Sequence, residues 1–385
     1  MSDSSSRKPH IDTLVVQAGR FDDAHGAVVT PIYQASTFDY PAGDRPLVYT
    51  RYGNNPTHVA VQKRIVALEG ARAALILSSG MAALSTAILT VCRAGDHVVA
   101  APELYGGTHR LLDDDLPGLG IEVSYAAGHQ AETWEAAIKP NTKLLIWEAI
   151  TNPLLRVADG GALAELARER GLVSLVDATF ATPINQRPLE FGVDLVMHSA
   201  TKYLGGHTDL IGGVLAGGDE LIDQATQRLA SFGGSADPHA VFLLERGIKT
   251  LALRMARHNE NGRAVSNYLA SHPRVERVFY PTLDDHPDRD VAARVLNGAG
   301  GVVAFIPRAT PDEAQRIVER FEWIRLAPSL GGVESLVSMP AMTSHRHLTS
   351  DQRAQRGMPD QTVRLALGVE AADDLIDDLD RALAS

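Results

Sequence analysis

Between residues 73 and 199 the chain alternates short, unbroken apolar runs with longer stretches whose apolar positions recur at helical spacing. The runs are AALILS (73–78), HVVAAP (97–102), IEVSYA (121–126), KLLIWEAI (143–150), LVSLVDA (172–178) and DLVMHS (194–199). They are continuous rather than alternating, so they predict strands buried on both faces. SGMAALSTAILTV, directly after the first run, predicts a helix that starts at Ser79–Gly80. GALAELARERG predicts another, with Gly171 as its stop. Strand–helix alternation of this kind predicts a mostly parallel sheet with helices on both sides, an α/β fold.

The texture differs on either side of this region. Residues 1–52 read as an irregular arm, with Pro31, Pro41 and Pro46 breaking any long element. Residues 53–245 hold the α/β pattern. Residues 246–385 read as a smaller α+β domain, in which VERVFY, GGVVAFI, WIRLAPS and TVRLALG are expected strands and EAQRIVERF and AADDLIDDLDRAL expected helices.

Composition narrows the picture. At 385 residues and 45% hydrophobic, the chain can bury a large core. Its net charge of -11 comes without a long block of one sign, which argues against general nucleic-acid binding. A single cysteine, Cys92, leaves no disulfide framework or cysteine metal cluster and reads as a buried structural thiol. The polar start MSDSSSRKPH is no signal peptide, and no run is long enough to span a membrane, so a soluble cytoplasmic protein is the expectation.

Three polar features fall at expected strand ends, where open parallel sheets gather ligands. Lys202 lies in HSATKYLGGHTD, just after DLVMHS; read alone, this is equally a solvated surface turn. Asp177 ends LVSLVDA, and by itself could be a helix cap or a core ion pair. SSGMAAL joins a strand to a helix N-terminus, where Gly80 and Met81 offer backbone N–H groups and Ser79 a hydroxyl. Ser199 and Thr201 flank the lysine with two further hydroxyls. A lysine, a phosphate cradle and a buried carboxylate together are what pyridoxal 5'-phosphate needs. Tyr105, beside Gly106 and Gly107 after another strand, supplies a ring to stack on the pyridine.

Nine ordered motifs extend this reading from about residue 26 to the C-terminus: VVTPIYQASTF, YTRYGNNPT, SSGMAAL, PELYGGTHRL, TNPLLRV, VDATFATP, HSATKYLGGHTD, SLGGVESLVSMPAMTSH and VRLALGVE. With them the chain resembles the Cys/Met-metabolism family of fold-type I pyridoxal-phosphate enzymes, which includes cystathionine γ-synthase, cystathionine γ-lyase and methionine γ-lyase. The resemblance implies that Lys202 is the Schiff-base lysine, Asp177 the partner of the pyridine nitrogen, and Tyr105 the stacking ring that also handles protons. It implies a phosphate cradle of Gly80, Met81, Ser199 and Thr201. Arg364 matches the arginine that grips the substrate carboxylate, and Asn152 and Ser329 match residues beside the ring and the carboxylate. Tyr49 and Arg51 match residues that reach the phosphate of a neighbouring subunit, which implies a homotetramer of two close dimers. No metal is implied.

The implied chemistry is γ-elimination or γ-replacement on a γ-substituted amino acid of the cystathionine, homoserine or methionine type. Lys202 removes the Cα proton, and both outcomes share a vinylic stage. Cystathionine β-lyase chemistry and a specialised pathway enzyme with an unusual γ-leaving group stay open. An aminotransferase fits YTRYGNNPT and SLGGVESLVSMP less well, and a regulatory pyridoxal-phosphate module lacks a DNA-binding segment. Three positions depart from the family. Ala178 replaces an asparagine after the nitrogen-binding aspartate. Pro328 stands where cystathionine-handling members often carry a glutamate for the distal amine. Gly107 replaces the cysteine typical of methionine γ-lyases.

Overall fold

The computed structural model describes residues 9–39, 47–344, 346 and 348–384. Within them every expected apolar run of the α/β region becomes a strand: β1 Ala73–Leu77, β2 His97–Ala100, β3 Glu122–Tyr125, β4 Thr142–Glu148, β5 Val173–Asp177 and β6 Leu195–Ser199. A further strand, β7 Gly213–Gly217, completes a seven-stranded sheet in the order β1-β7-β6-β5-β4-β2-β3. The sheet is parallel except for β7, which runs antiparallel to both neighbours.

The glycine content of LIGGVLAGG hides β7 from a reading of propensity. Close packing explains it. A Cβ at Gly213 would lie 2.0 Å from the Ser79 carbonyl oxygen, and one at Gly217 2.5 Å from that of Asp194. Register then does functional work. Gly213 pairs with Leu77 on one side and Ser199 on the other, so the ends of β1 and β6 lie one strand apart. Pairing of Asp177 with Glu148 and with Met197 puts the ends of β4, β5 and β6 in one row.

Helices cover both faces. Alternation along β6 sends His198 to one side, where its Nε2 meets Glu69 Oε1 at 2.6 Å on the helix Pro56–Glu69. Ser199 points the other way, against Gly80 at the start of the helix Gly80–Val91. Ser79 caps that helix by accepting from the Ala82 N–H at 3.0 Å, a contact worth about 1 kcal/mol. The GALAELARERG helix runs Gly160–Glu169, and Gly171 stops it at φ 64°.

A second sheet of five strands follows: β8 Val275–Phe279, β9 Val302–Pro307, β10 Arg325–Leu326, β11 Leu336–Ser338 and β12 Val363–Ala366, in the order β10-β11-β12-β9-β8. Here WIRLAPS yields only the two-residue β10, and β11 forms inside the segment after SLGG that showed no strand pattern. The helices Leu251–Ser271 and Ala372–Leu383 pack together beside this sheet. One buried cluster includes Leu75 and Ile146 of the first sheet and Val303 and Leu365 of the second, so the two share a core. Cys92 is buried within it, and burial pushes its thiol up to about 12.

The expected irregular arm needs correction. Ile11–Gln17 is an α-helix, with His10 accepting from the Asp12 N–H at its start. Its single buried residue, Val15, is too short a pattern to show periodicity. Pro31 lies in irregular backbone, while Pro41 and Pro46 fall outside the described residues.

Candidate functional site

The carboxyl ends of β1, β4, β5 and β6 open into a cleft of about 710 Å³ whose other wall comes from the second sheet and its loops. All the expected site residues line it except Tyr49 and Arg51. Lys202 follows β6 in a tight turn, its N–H donating to the Ser199 carbonyl at 3.1 Å. The SLGG loop lies directly on this turn, since a Cβ at Gly331 would sit 2.5 Å from the Tyr203 nitrogen. That packing brings Ser329 to Lys202, whose Nζ donates to Ser329 Oγ at 2.8 Å. Ser329 holds φ 111°, a conformation costing a non-glycine residue roughly 1–3 kcal/mol. Its carbonyl also accepts from Arg364 Nη2 at 2.9 Å, so the hydroxyl and the carbonyl of the strained residue are both engaged.

Burial, and next the nearby Arg364 charge, pull the Lys202 amine down from its ordinary value to about 8. About a tenth of the amine is then neutral at pH 7, far more than for an ordinary lysine, as a nucleophilic or basic amine requires. Arg364, on β12, is 6% exposed. Its Nη1 donates to Asn152 Oδ1 at 3.0 Å, while Nε has no partner among the described residues. Burial lowers the guanidinium to about 10, which leaves it charged. A buried cation lining a cleft suits an incoming carboxylate.

At the floor, Asp177 Oδ1 accepts from both the N–H (2.9 Å) and the hydroxyl of Thr179. Thr179 Oγ1 in turn accepts from the Ser199 N–H at 2.8 Å, tying β5 to β6. Burial raises the Asp177 carboxyl above the usual range, and the Thr179 hydrogen bonds oppose that rise. The aspartate lines the cleft, where a cationic ring N–H would stabilise its charged form. The phosphate cradle is equally tight. A Cβ at Gly80 would lie 2.8 Å from Ser199 Cβ, so the glycine lets the helix N-terminus close on the serine. The first N–H groups of that helix have no intrahelical acceptor. Tyr105 precedes a short helix, and its ring lies over Gly107, where a Cβ would come within 2.5 Å of the ring edge, and near Met81. A cysteine at position 107 would displace the ring from this place.

Other lining residues gave less signal. Thr179 lies within VDATFATP with no sign of its own. Glu148 ends the apolar run KLLIWE just as Asp177 ends LVSLVD, so the same strand-end rule would have found it. Ile211 and Arg346 come from loops, and Met342 from the single 3-10 turn Pro340–Met342, all too short to show periodicity. Ala178 is fully buried and absent from the cleft wall, so the departure there leaves the lining untouched. Pro328 does line the cleft. Tyr49 and Arg51 sit away from the cleft. Arg51 is exposed, lies about 5.4 and 5.3 Å from the centroids of the Tyr49 and Tyr52 rings, and donates to the Ala230 carbonyl.

A lysine poised at a sheet's carboxyl edge, opposite a carboxylate one strand away and beside a glycine-opened helix N-terminus, defines a fold-type I pyridoxal-phosphate enzyme. The comparisons carry the assignment to the family. The model for "Cys/Met metabolism PLP-dependent enzyme" matches residues 12–384, and the chain belongs to that family. It is 43% identical to a cystathionine γ-synthase of Mycobacterium tuberculosis, over 96% of each chain. It is 40% identical to a cystathionine β-lyase of Coxiella burnetii, over the full length of both. A crystal structure of cystathionine γ-lyase from Lactobacillus plantarum, complexed with L-serine, superposes with a TM-score of 0.94 at 40% identity, covering 98% of this chain and 99% of that one. The protein is thus a pyridoxal-phosphate-dependent enzyme of Cys/Met metabolism, acting on an amino acid. No helix among the described residues is long and apolar enough to cross a membrane.

Proposed function

We propose that the enzyme eliminates a γ-substituent from an L-amino acid, with replacement as the competing branch when a thiol nucleophile is present. The observation that carries this reading is the convergence of Lys202, Tyr105 and Arg364 on one cleft above Asp177. When bound, pyridoxal phosphate supplies an electron sink for the charge that develops at the substrate Cα. Asp177 holds the proton on the ring nitrogen; Gly80, Met81, Ser199 and Thr201 hold the phosphate. Arg364 grips the substrate carboxylate, with Asn152 and Ser329 bonded to its two terminal nitrogens. Lys202, its amine neutral in good part near pH 8, takes the Cα proton. Tyr105 lies half-exposed beside the same space and serves the Cβ proton and the leaving group.

Tyr49 and Arg51 complete the site of a neighbouring subunit in this reading, which makes the working enzyme a cytoplasmic homotetramer of two close dimers. The place of both residues away from the cleft, with Arg51 exposed, supports it. Mixing Arg51→Ala with Lys202→Ala subunits then restores part of the activity, whereas a fully active monomer in sedimentation rules out shared sites.

The function itself is tested by product identification on cystathionine, homocysteine, methionine, O-acyl-homoserines and a γ-halogenated amino acid, with and without added thiol. A four-carbon 2-oxo acid with stoichiometric ammonia supports elimination, and a new thioether indicates replacement. Pyruvate as the only product, with every γ-substrate inert, overturns the reading in favour of a β-lyase. Borohydride should fix the cofactor to the peptide containing Lys202, and Lys202→Ala should lose turnover at least ~10³-fold while keeping the fold.

A further inference from the structure

Glu148 closes β4 and is 5% exposed, yet it lines the cleft. Its Oε1 accepts from the Tyr105 N–H at 2.5 Å and its Oε2 from the Asn152 N–H at 3.1 Å. One side chain therefore joins the loop after β2, which carries the stacking tyrosine, to the loop after β4, which carries the asparagine bonded to Arg364. Strand register sets it beside Asp177.

This placement is expensive. Two buried carboxylates on adjacent strands repel each other, and burial first, then Asp177, raises the Glu148 carboxyl well above its usual range. Glu103, within range on the β2 side and paired with His129 at 3.2 Å, adds to the rise. A side chain needed only to fill space would do so better without charge. What a carboxylate offers is an acceptor on each of two oxygens. Glutamine keeps the shape but turns an NH₂ toward one of the two N–H donors.

We propose that Glu148 is a positioning residue: it clamps the Tyr105 and Asn152 backbones before the cofactor arrives, fixing the stacking ring and, through Asn152, the carboxylate-binding Arg364. The proposal rests on the pyridoxal-phosphate reading of the cleft and adds a residue to it. Glu148 touches neither the cofactor nor the substrate in this role.

The test measures cofactor dissociation and the visible circular dichroism of the bound cofactor, alone and in a Tyr105→Ala background. Glu148→Gln should bind pyridoxal phosphate about tenfold more weakly and lose much of the dichroic signal, with far-UV spectra unchanged. Glu148→Asp keeps the charge but withdraws from both N–H groups, so it should behave like Glu148→Gln. In the Tyr105→Ala background the Glu148→Gln effect should shrink, because much of it acts through that ring. Hydrogen exchange on wild-type apoenzyme gives an answer independent of any variant: the Tyr105 and Asn152 amides should already be protected. Wild-type affinity and dichroism in Glu148→Gln, full rescue by Glu148→Asp, an undiminished effect without the Tyr105 ring, or protection that appears only with cofactor each overturns the clamp. Failure of wild-type protein to bind pyridoxal phosphate at all would instead overturn the reading of the cleft.

Discussion

Asp177 and Arg364 face each other across one cleft, but they are held in different ways. Asp177, Glu148, Thr179 and Ser199 stand at or just beyond neighbouring strand ends of a single sheet, and main-chain register sets their spacing. Arg364 comes from β12 of the other sheet, and Ser329 and Pro328 from a loop before β11. Their positions depend on long-range contacts, namely Gly331 against the Lys202 turn and Arg364 against Asn152. The difference teaches where variation is tolerated. A substitution on the floor disturbs several elements at once, whereas one at the far wall changes what the wall meets. The floor holds the cofactor shared by the family, and the wall meets the substrate. Relatives of similar identity that bear β-lyase and γ-synthase names fit that division.

The largest expected effect lies on the floor. Asp177→Asn keeps the Thr179 contacts but removes the charge that holds a proton on the ring nitrogen, so turnover should fall about 10²–10³-fold. The same change relieves repulsion with Glu148. Because burial raises the aspartate's folded-state value, its contribution to stability is present at acid pH and is lost as pH rises. The neutral variant's apoenzyme should therefore melt higher than wild type near pH 7. A lower melting temperature would mean that Asp177 stabilises the apo fold and that the floor is not under electrostatic load.

Arg364→Lys probes the wall. Lysine preserves charge but cannot bond Asn152, Ser329 and a carboxylate in one plane. The kcat/KM should fall about 10–100-fold, mostly through KM, with the cofactor spectrum unchanged. A changed spectrum would show that wall and floor are coupled more strongly than their separate scaffolds suggest.

Lys202 lies where the two regions meet, and pH reads its state. Its amine must be neutral to capture the cofactor, and it loses its proton near pH 8. The rate of reconstitution from apoenzyme should rise with pH, reach half its plateau near pH 8 and level off above about 9, so the rate at pH 7 is roughly a tenth of the plateau. A rate still climbing at pH 10 would belong to an ordinary exposed lysine.

The floor was the more legible half in the sequence. Its residues stand at the ends of unbroken apolar runs, where a polar residue is conspicuous, and Asp177, Lys202 and Ser199 were found that way. Glu148 carried the same sign. The strand β7 was hidden because its glycines answer to the Ser79 and Asp194 carbonyls pressed against them, not to strand propensity. The wall was legible only through family motifs. Arg364 sits in an ordinary strand pattern and Ser329 in a loop, and only the packing of two sheets brings them to Lys202. The short helix Ile11–Gln17 buries too little to leave a period.

The smallest expected effect bears on substrate choice. Pro328 adjoins the strained Ser329 and lines the cleft, where the described carboxylates, Asp177 and Glu148, both lie at the floor and Arg346 stands among the loop residues of the wall. A distal ammonium, such as that of cystathionine, finds no counter-charge there on this chain, while a small or uncharged γ-substituent needs none. Pro328→Glu places a carboxylate beside the cleft without touching the floor. It should shift the ratio of kcat/KM for cystathionine over an O-acyl-homoserine a few-fold toward cystathionine, the scale of a partly solvated charge pair, and leave the cofactor spectrum alone. Added salt should erase part of that gain, because an exposed pair is screened. An unchanged ranking would mean that the γ-substituent does not pass position 328. The wall's selectivity would then have to be sought among Ile211, Met342 and Arg346.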